Sequence, residues 1–257
     1  MGRKRTNGTA VKIKASLLVL LGVISTSAFS NFPPDYTATY YVDKLGTTVG
    51  RSTISLVQDE NEIHYSQHVE LVGFISLFKK DRVSENSWIT KQNDDTLLFK
   101  KYQYVHSNSK KNRDSLIEAA WTTEEDETPI GELTGHSRGK PVSLKINEPI
   151  WDTLSFQLAL INDVSDKNDS YNYNVISRGQ IKQYNFSYIG EETIEIEDKA
   201  YKTIKLERHS GNKATKIWLA PSLNYVPVLI EQYKDDDLDS TMTLDLVVFN
   251  NTADEDK

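Results

Sequence analysis

Apolar and polar residues alternate along most of this chain. Residues 36–42 (YTATYYV) and 47–58 read as two strands joined by a turn at Gly46. A third strand follows a turn over 59–61, and its Ile63, Tyr65, Val69 and Leu71 share one face. Gly50 marks a bulge or a close approach of another backbone. The run 72–78 (VGFISLF) breaks the alternation after Gly73. It reads either as one helical turn plugging the sheet or as a buried strand end. Strands resume at 83–92 around Trp88, at 97–106 with Tyr102 and Tyr104 on one face, and at 115–122, ending at Trp121. Turns are expected at 93–95 and 107–112. The acidic stretch 123–128 leads into 129–141, where Gly131, Gly135 and Gly139 predict a long turn-rich loop, a solvated connector in preference to a lid.

Residues 149–162 carry the single expected helix. Trp151, Leu154, Leu158 and Ile161 fall at helical spacing on one face, and Asp152 is expected in the first turn, where the helix dipole favours a carboxylate. Strands return at 171–177, 181–189, 193–197 and 201–208. The stretch 216–235 (KIWLAPSLNYVPVLIEQYKD) then forms a hairpin turned over 220–224, with Pro221 fixing φ. Pro227 lies in its return strand and has no N–H to donate, so that strand is an edge, or Pro227 marks a bulge or the strand's start. The last strand, 241–249, is read with Met242, Leu244, Leu246 and Val248 facing one way. The whole predicts a mainly β fold: a large curled antiparallel sheet, barrel or half-barrel, with one packed amphipathic helix, in a single domain over 33–249. The polar tail 250–257 is expected to be disordered.

Composition adds an address. Arg3, Lys4, Arg5, Lys12 and Lys14 precede the apolar run 15–24, and Ser25, Thr26, Ser27 and Ala28 supply small residues after it. This is a signal-peptide pattern, 1–28, with cleavage after Ala28 and a periplasmic destination; an uncleaved anchor is the alternative. The run is shorter than the ~20 residues a spanning helix needs, so the mature chain has no expected transmembrane segment. Cleavage removes those five basic residues and no acidic one, taking the formal charge from −7 to −12. Such a charge argues against nucleic acid or anionic lipid surfaces as main partners. Cysteine is absent, which excludes disulfides, thiolate metal sites and a lipidated cysteine at the cleavage point.

Three stretches carry a family resemblance. Phe32-Pro33-Pro34 with 36–40 (YTATY) and Val49-Gly50 resemble a tyrosine-rich first strand followed by a glycine. Asp152-Thr153-Leu154-Ser155 resembles a D-x-L-S helix start. Ile217-Trp218-Leu219, with Tyr225-Val226-Pro227-Val228 and Ile230-Glu231, resembles a W-L…Y-x-P-V…E hairpin. Together they are similar to the DUF3108 family of bacterial exported proteins of unknown function. The resemblance implies a secreted, mostly β domain and brings no catalytic residues. The curled sheet with a helix is also similar in shape to periplasmic lipoprotein carriers, a likeness of fold alone.

Candidate chemistry is sparse. His64 and His68 share a strand face but lie about 13 Å apart, too far for one metal ion. There is no G-x-S-x-G elbow and no glycine-rich phosphate loop. Asp235, Asp236 and Asp237 lack the glycine and glutamate of an EF-hand and read as a solvated turn. No metal, cofactor or catalytic residue is expected. The aromatic set stands out: Trp88, Trp121, Trp151 and Trp218, with Phe74 and Phe78. With Leu154 and Leu158 these residues are either ordinary core or the lining of an apolar cavity under the helix, able to hold a lipid or similar ligand. The expected role is a non-catalytic binding module for an apolar or amphipathic envelope component. The alternatives are an envelope-assembly protein offering the Pro227 edge strand to a protein partner, and a hydrolase using strand carboxylates.

Overall fold

The computed structural model describes residues 32–78, 81–92, 96–122 and 130–250. The expected signal segment, Lys79 and Lys80, the 93–95 turn, the acidic loop 123–128 and the tail beyond Asn250 lie outside the described residues.

The first half is a meander of eight strands: β1 (Tyr36–Lys44), β2 (Thr47–Gln58), β3 (Glu62–Leu71), β4 (Arg82–Lys91), β5 (Leu97–Ser107), β6 (Ser115–Thr122), β7 (Ile130–Ser137) and β8 (Lys140–Ile146). The two-residue β9 (Trp151–Asp152) and helix α1 (Phe156–Asp163) follow. A second meander runs through β10 (Ser170–Ser177), β11 (Gln180–Ile196), β12 (Lys199–Ser210), β13 (Lys213–Ala220), β14 (Val226–Lys234) and β15 (Asp237–Phe249). All fifteen strands form one sheet in the order β8-β7-β6-β5-β4-β3-β2-β1-β15-β14-β13-β12-β11-β10-β9. Every pairing is antiparallel except β9 with β10. The sheet is mainly β and curled as expected, but its ends do not join by hydrogen bonds. They come close instead, where the β10–β11 turn meets β8. Gly179, in the β10–β11 turn, lies so close to β8 that a methyl there would sit 3.0 Å from Val142 Cγ2.

The concave face holds two apolar clusters. One gathers Tyr36, Tyr40, Leu56, Tyr65, Phe99, Ile117, Leu133 and Trp218, from both meanders. Its phenols are satisfied inside the core: Tyr36 and Tyr65 hydroxyls meet at 3.2 Å, and Tyr40 donates to the Pro227 carbonyl at 3.0 Å. The other cluster lies under α1 and includes Phe156, Leu160, Ile161, Phe186, Leu206, Ile217 and Ile230. Leu154 and Leu158 belong to the first cluster, so α1 is wedged between the two.

Several sequence expectations are corrected. The helix begins at Phe156, not near Pro149, and its buried residues Phe156, Leu158, Ala159, Leu160 and Ile161 leave no broad polar face. Asp152 is not in its first turn but in β9. Where a loop is expected over 129–141, the described residues from Ile130 on belong to the β7–β8 hairpin. The glycines that suggested a loop mark close approaches. A Cβ on Gly131 would sit 2.9 Å from the Trp121 ring, and one on Gly135 would sit 2.0 Å from the Leu116 carbonyl oxygen. Of the alternatives for Pro227, the edge is excluded, because β13 and β15 flank β14, and the bulge is found: the register with β13 shifts beside Pro227, between Trp218 and Leu219. Leu246 and Val248 do not share the inward face of Met242 and Leu244. A bulge opposite Thr39/Tyr40 flips the phase, and the two side chains are 55% and 48% exposed. The apolar run after β3 forms a short 3₁₀ turn, Gly73–Leu77, and its Phe74 and Leu77, with Phe78 after it, face outward, 76%, 74% and 73% exposed.

Candidate ligand site

Strand phase assembles the site. On β11 to β14 one face carries Tyr184 with Phe186, Leu206 with Arg208, Thr215 with Ile217, and Ile230 with Gln232. The apolar members form the floor beneath α1. The polar members sit two to four residues from the strand ends and make a rim, in register through the Arg208–Thr215 and Thr215–Gln232 pairs. Between this rim, Met242, Gln67 of β3 and the first residues of α1 lies a cleft of about 280 Å³. Phe156 stacks on Phe186 at 5.7 Å and meets Tyr184 edge-on at 5.2 Å, which fixes one wall.

Beside the cleft a buried polar cluster pins the chain that leads into α1. Asp152 is fully buried. Its Oδ1 accepts the backbone N–H groups of Leu154 (2.7 Å) and Ser155 (2.9 Å), and its Oδ2 accepts the hydroxyls of Ser155 (2.8 Å) and Ser87 of β4. Burial pushes the Asp152 carboxyl above its ordinary value, and these hydrogen bonds oppose the rise. Thr153, a lining residue of the cleft, donates to the Tyr102 hydroxyl at 2.9 Å, and Tyr102 donates to Glu85 Oε2 at 3.0 Å. Burial, with the nearby Asp152 charge, raises Glu85 to about 7.

Glu85 therefore makes stability depend on pH. The folded protein holds this proton more tightly than the unfolded chain, whose carboxyl titrates near 4.5. Stability is fully present below that value and falls as pH rises towards 7. The rise corresponds to about 3 kcal/mol, trimmed to about 2 kcal/mol by water reaching a side chain that is not sealed. Glu85→Gln is expected to flatten this limb between pH 4.5 and 7 and to raise the melting temperature at pH 8. Thermal unfolding of both proteins across that range measures it; parallel curves would remove Glu85 as the source.

The eight residues expected to line one cavity are dispersed. Leu154, Leu158 and Trp218 are core residues, with Trp121 and Trp151 packed against that core. Trp121 Nε1 donates to the Phe99 carbonyl, and Trp218 Nε1 to Glu192. Trp88 is on the outer face, stacked on His64 with Lys101 over its ring. Phe74 and Phe78 touch each other on the surface. Sequence reasoning missed Arg208, Gln157, Glu85 and Ser87. The available signal was polar side chains in the apolar phase of a strand, as in Ile204, Leu206, Arg208 and in Glu85, Ser87, Ile89. A larger depression of about 770 Å³ lies around Lys167 and Thr203; there Lys167 pairs with Glu191, and Glu192 pairs with Lys205, which is not part of the lining.

Among the described residues no three His, Asp or Glu side chains gather at metal-binding distances, and no helix is long and apolar enough to cross a membrane. Comparison with solved structures finds a similar chain in a crystal structure of a beta-barrel-like protein of domain of unknown function DUF1849 from Brucella abortus. The two share 8% identity, with a TM-score of 0.55, over 86% of this chain and 99% of that one. At that identity the likeness is one of fold alone. A search of curated proteins finds no match. Residues 35–245 match the model of the family described as protein of unknown function (DUF3108), and the chain belongs to that family.

Proposed function

We propose that this is a non-catalytic binding protein for an apolar or amphipathic component of the bacterial envelope, working in the periplasm after export. The observation that carries this reading is the cleft at α1, with an apolar floor of Phe156, Phe186, Ile217, Ile230 and Met242 and a polar rim. Ligand sites combine these features, an apolar body with a few placed polar groups. Its volume of about 280 Å³ suits a short acyl chain or the head-proximal part of a longer one. The exposed Phe74, Leu77 and Phe78 follow the end of β3 on the same rim of the sheet as the cleft, where an apolar surface favours contact with a lipid source. The acids nearby favour binding over catalysis. Asp152 spends both oxygens on four hydrogen bonds that hold the chain, and Glu85 is engaged by Tyr102.

Native mass spectrometry of the protein purified from its own cells tests the proposal. A bound mass lost on organic extraction is expected. A bare monomer mass before extraction, with no amphiphile in the extract, would reject it. Fractionation of the same cells is expected to find the protein in the periplasm, free of residues 1–28.

A further inference from the structure

One group in the cleft lacks what its chemistry demands. Arg208 makes no ion pair with any described acid. Its neighbour Glu207 points to the opposite face, within 4 Å of His209 and Lys216. The guanidinium lies over Tyr184, its carbon 3.6 Å from the ring centre, and the buried Nε has no hydrogen-bond acceptor. A buried donor left unmet is costly, and an arginine fork is suited to two oxygens of one anion. Gln157, across the cleft at the start of α1, has a buried Oε1 that also lacks a partner. In a chain with an acidic excess, a cation left unpaired over an apolar floor is a place for a ligand's charge.

We propose that Arg208 binds the anionic oxygens of an amphiphile's head, while Gln157 takes a hydroxyl or N–H from the same head and the apolar tail lies on Phe186, Ile217 and Ile230. This rests on the reading of the cleft as an amphiphile site and names the charge of its occupant. Carboxylate and phosphate heads share the required chemistry.

Calorimetric titration of the delipidated mature protein with decanoate, decyl phosphate and neutral 1-decanol tests it. At least one anionic probe is expected to bind about tenfold or more tightly than decanol. Which one binds better distinguishes a carboxylate ligand from a phosphate one. In Arg208→Gln that preference is expected to vanish while decanol binding stays. Lys205→Gln, a cation outside the cleft, is expected to keep the preference. Equal binding of all three probes by the native protein, or a preference that survives Arg208→Gln, overturns the role of Arg208 and leaves the apolar cleft standing. Binding of none of the three overturns both. Melting temperatures of the variants identify any loss that comes from unfolding.

Discussion

Asp152→Ala is expected to lower stability by about 4 kcal/mol. The carboxylate is fully buried and is the shared acceptor for two backbone N–H groups and two hydroxyls. Truncation leaves the Leu154 and Ser155 amides without partners in the interior, where each unmet donor costs about 1–3 kcal/mol. It also cuts one of two ties between β4 and the strand-to-helix link, that of Ser87, and leaves the one from Glu85 through Tyr102 to Thr153. Asp152→Asn separates charge from geometry. The amide oxygen still accepts from both backbone groups, and the serine hydroxyls rotate to accept from its NH₂. About 1–2 kcal/mol is expected there. Chemical denaturation measures both, and an asparagine variant as damaged as the alanine one would show that the negative charge itself is required.

Gly135→Ala is the second large effect, at about 3 kcal/mol and a melting temperature about 10 °C lower. Two independent costs meet at this site. The backbone has φ +136°, which side chains rarely tolerate, and a new Cβ would lie 2.0 Å from the Leu116 carbonyl oxygen on β6. The β6–β7 pairing must open to admit it. Gly211 is the control: it also has positive φ, +61°, but faces open space, so alanine there costs about 1 kcal/mol. Similar losses at the two positions would mean that backbone strain, not crowding, governs Gly135.

Much of the sheet was legible because a sheet buried on one face prints its phase into the sequence. Tyr36, Ala38 and Tyr40 are buried together, as are Ile54 and Leu56 and the pair Ile63 and Tyr65. What stayed hidden depends on partners that have no mark of their own. The bulge that turns Leu246 and Val248 outward needs no special residue. Gly131 and Gly135 look like loop glycines until Trp121 and Leu116 are seen beside them. Asp152 has the spacing of a helix-start acid, but the backbone leaves β9 through a tight turn that the carboxylate itself closes. The site was least legible. Large aromatics draw attention, yet here they are spread over core, outer face and surface, while the cleft is defined by Arg208, Thr215 and Gln232, each an ordinary strand residue alone.

The placement of β1 beside β15 has a kinetic meaning. Read from β9 through β15, then β1 through β8, the sheet is one uninterrupted run of neighbours, so the natural chain is that run cut at its middle. Each half assembles from short-range hairpins, but the seam between them pairs residues such as Tyr36 with Phe249, at opposite ends of the described chain. Loop-closure entropy makes such a contact slow to find. Joining the ends at the seam and opening the chain between Ile146 and Trp151 turns the longest-range pairing into a local hairpin. That permutant is expected to refold faster than the natural chain at little cost to the finished sheet.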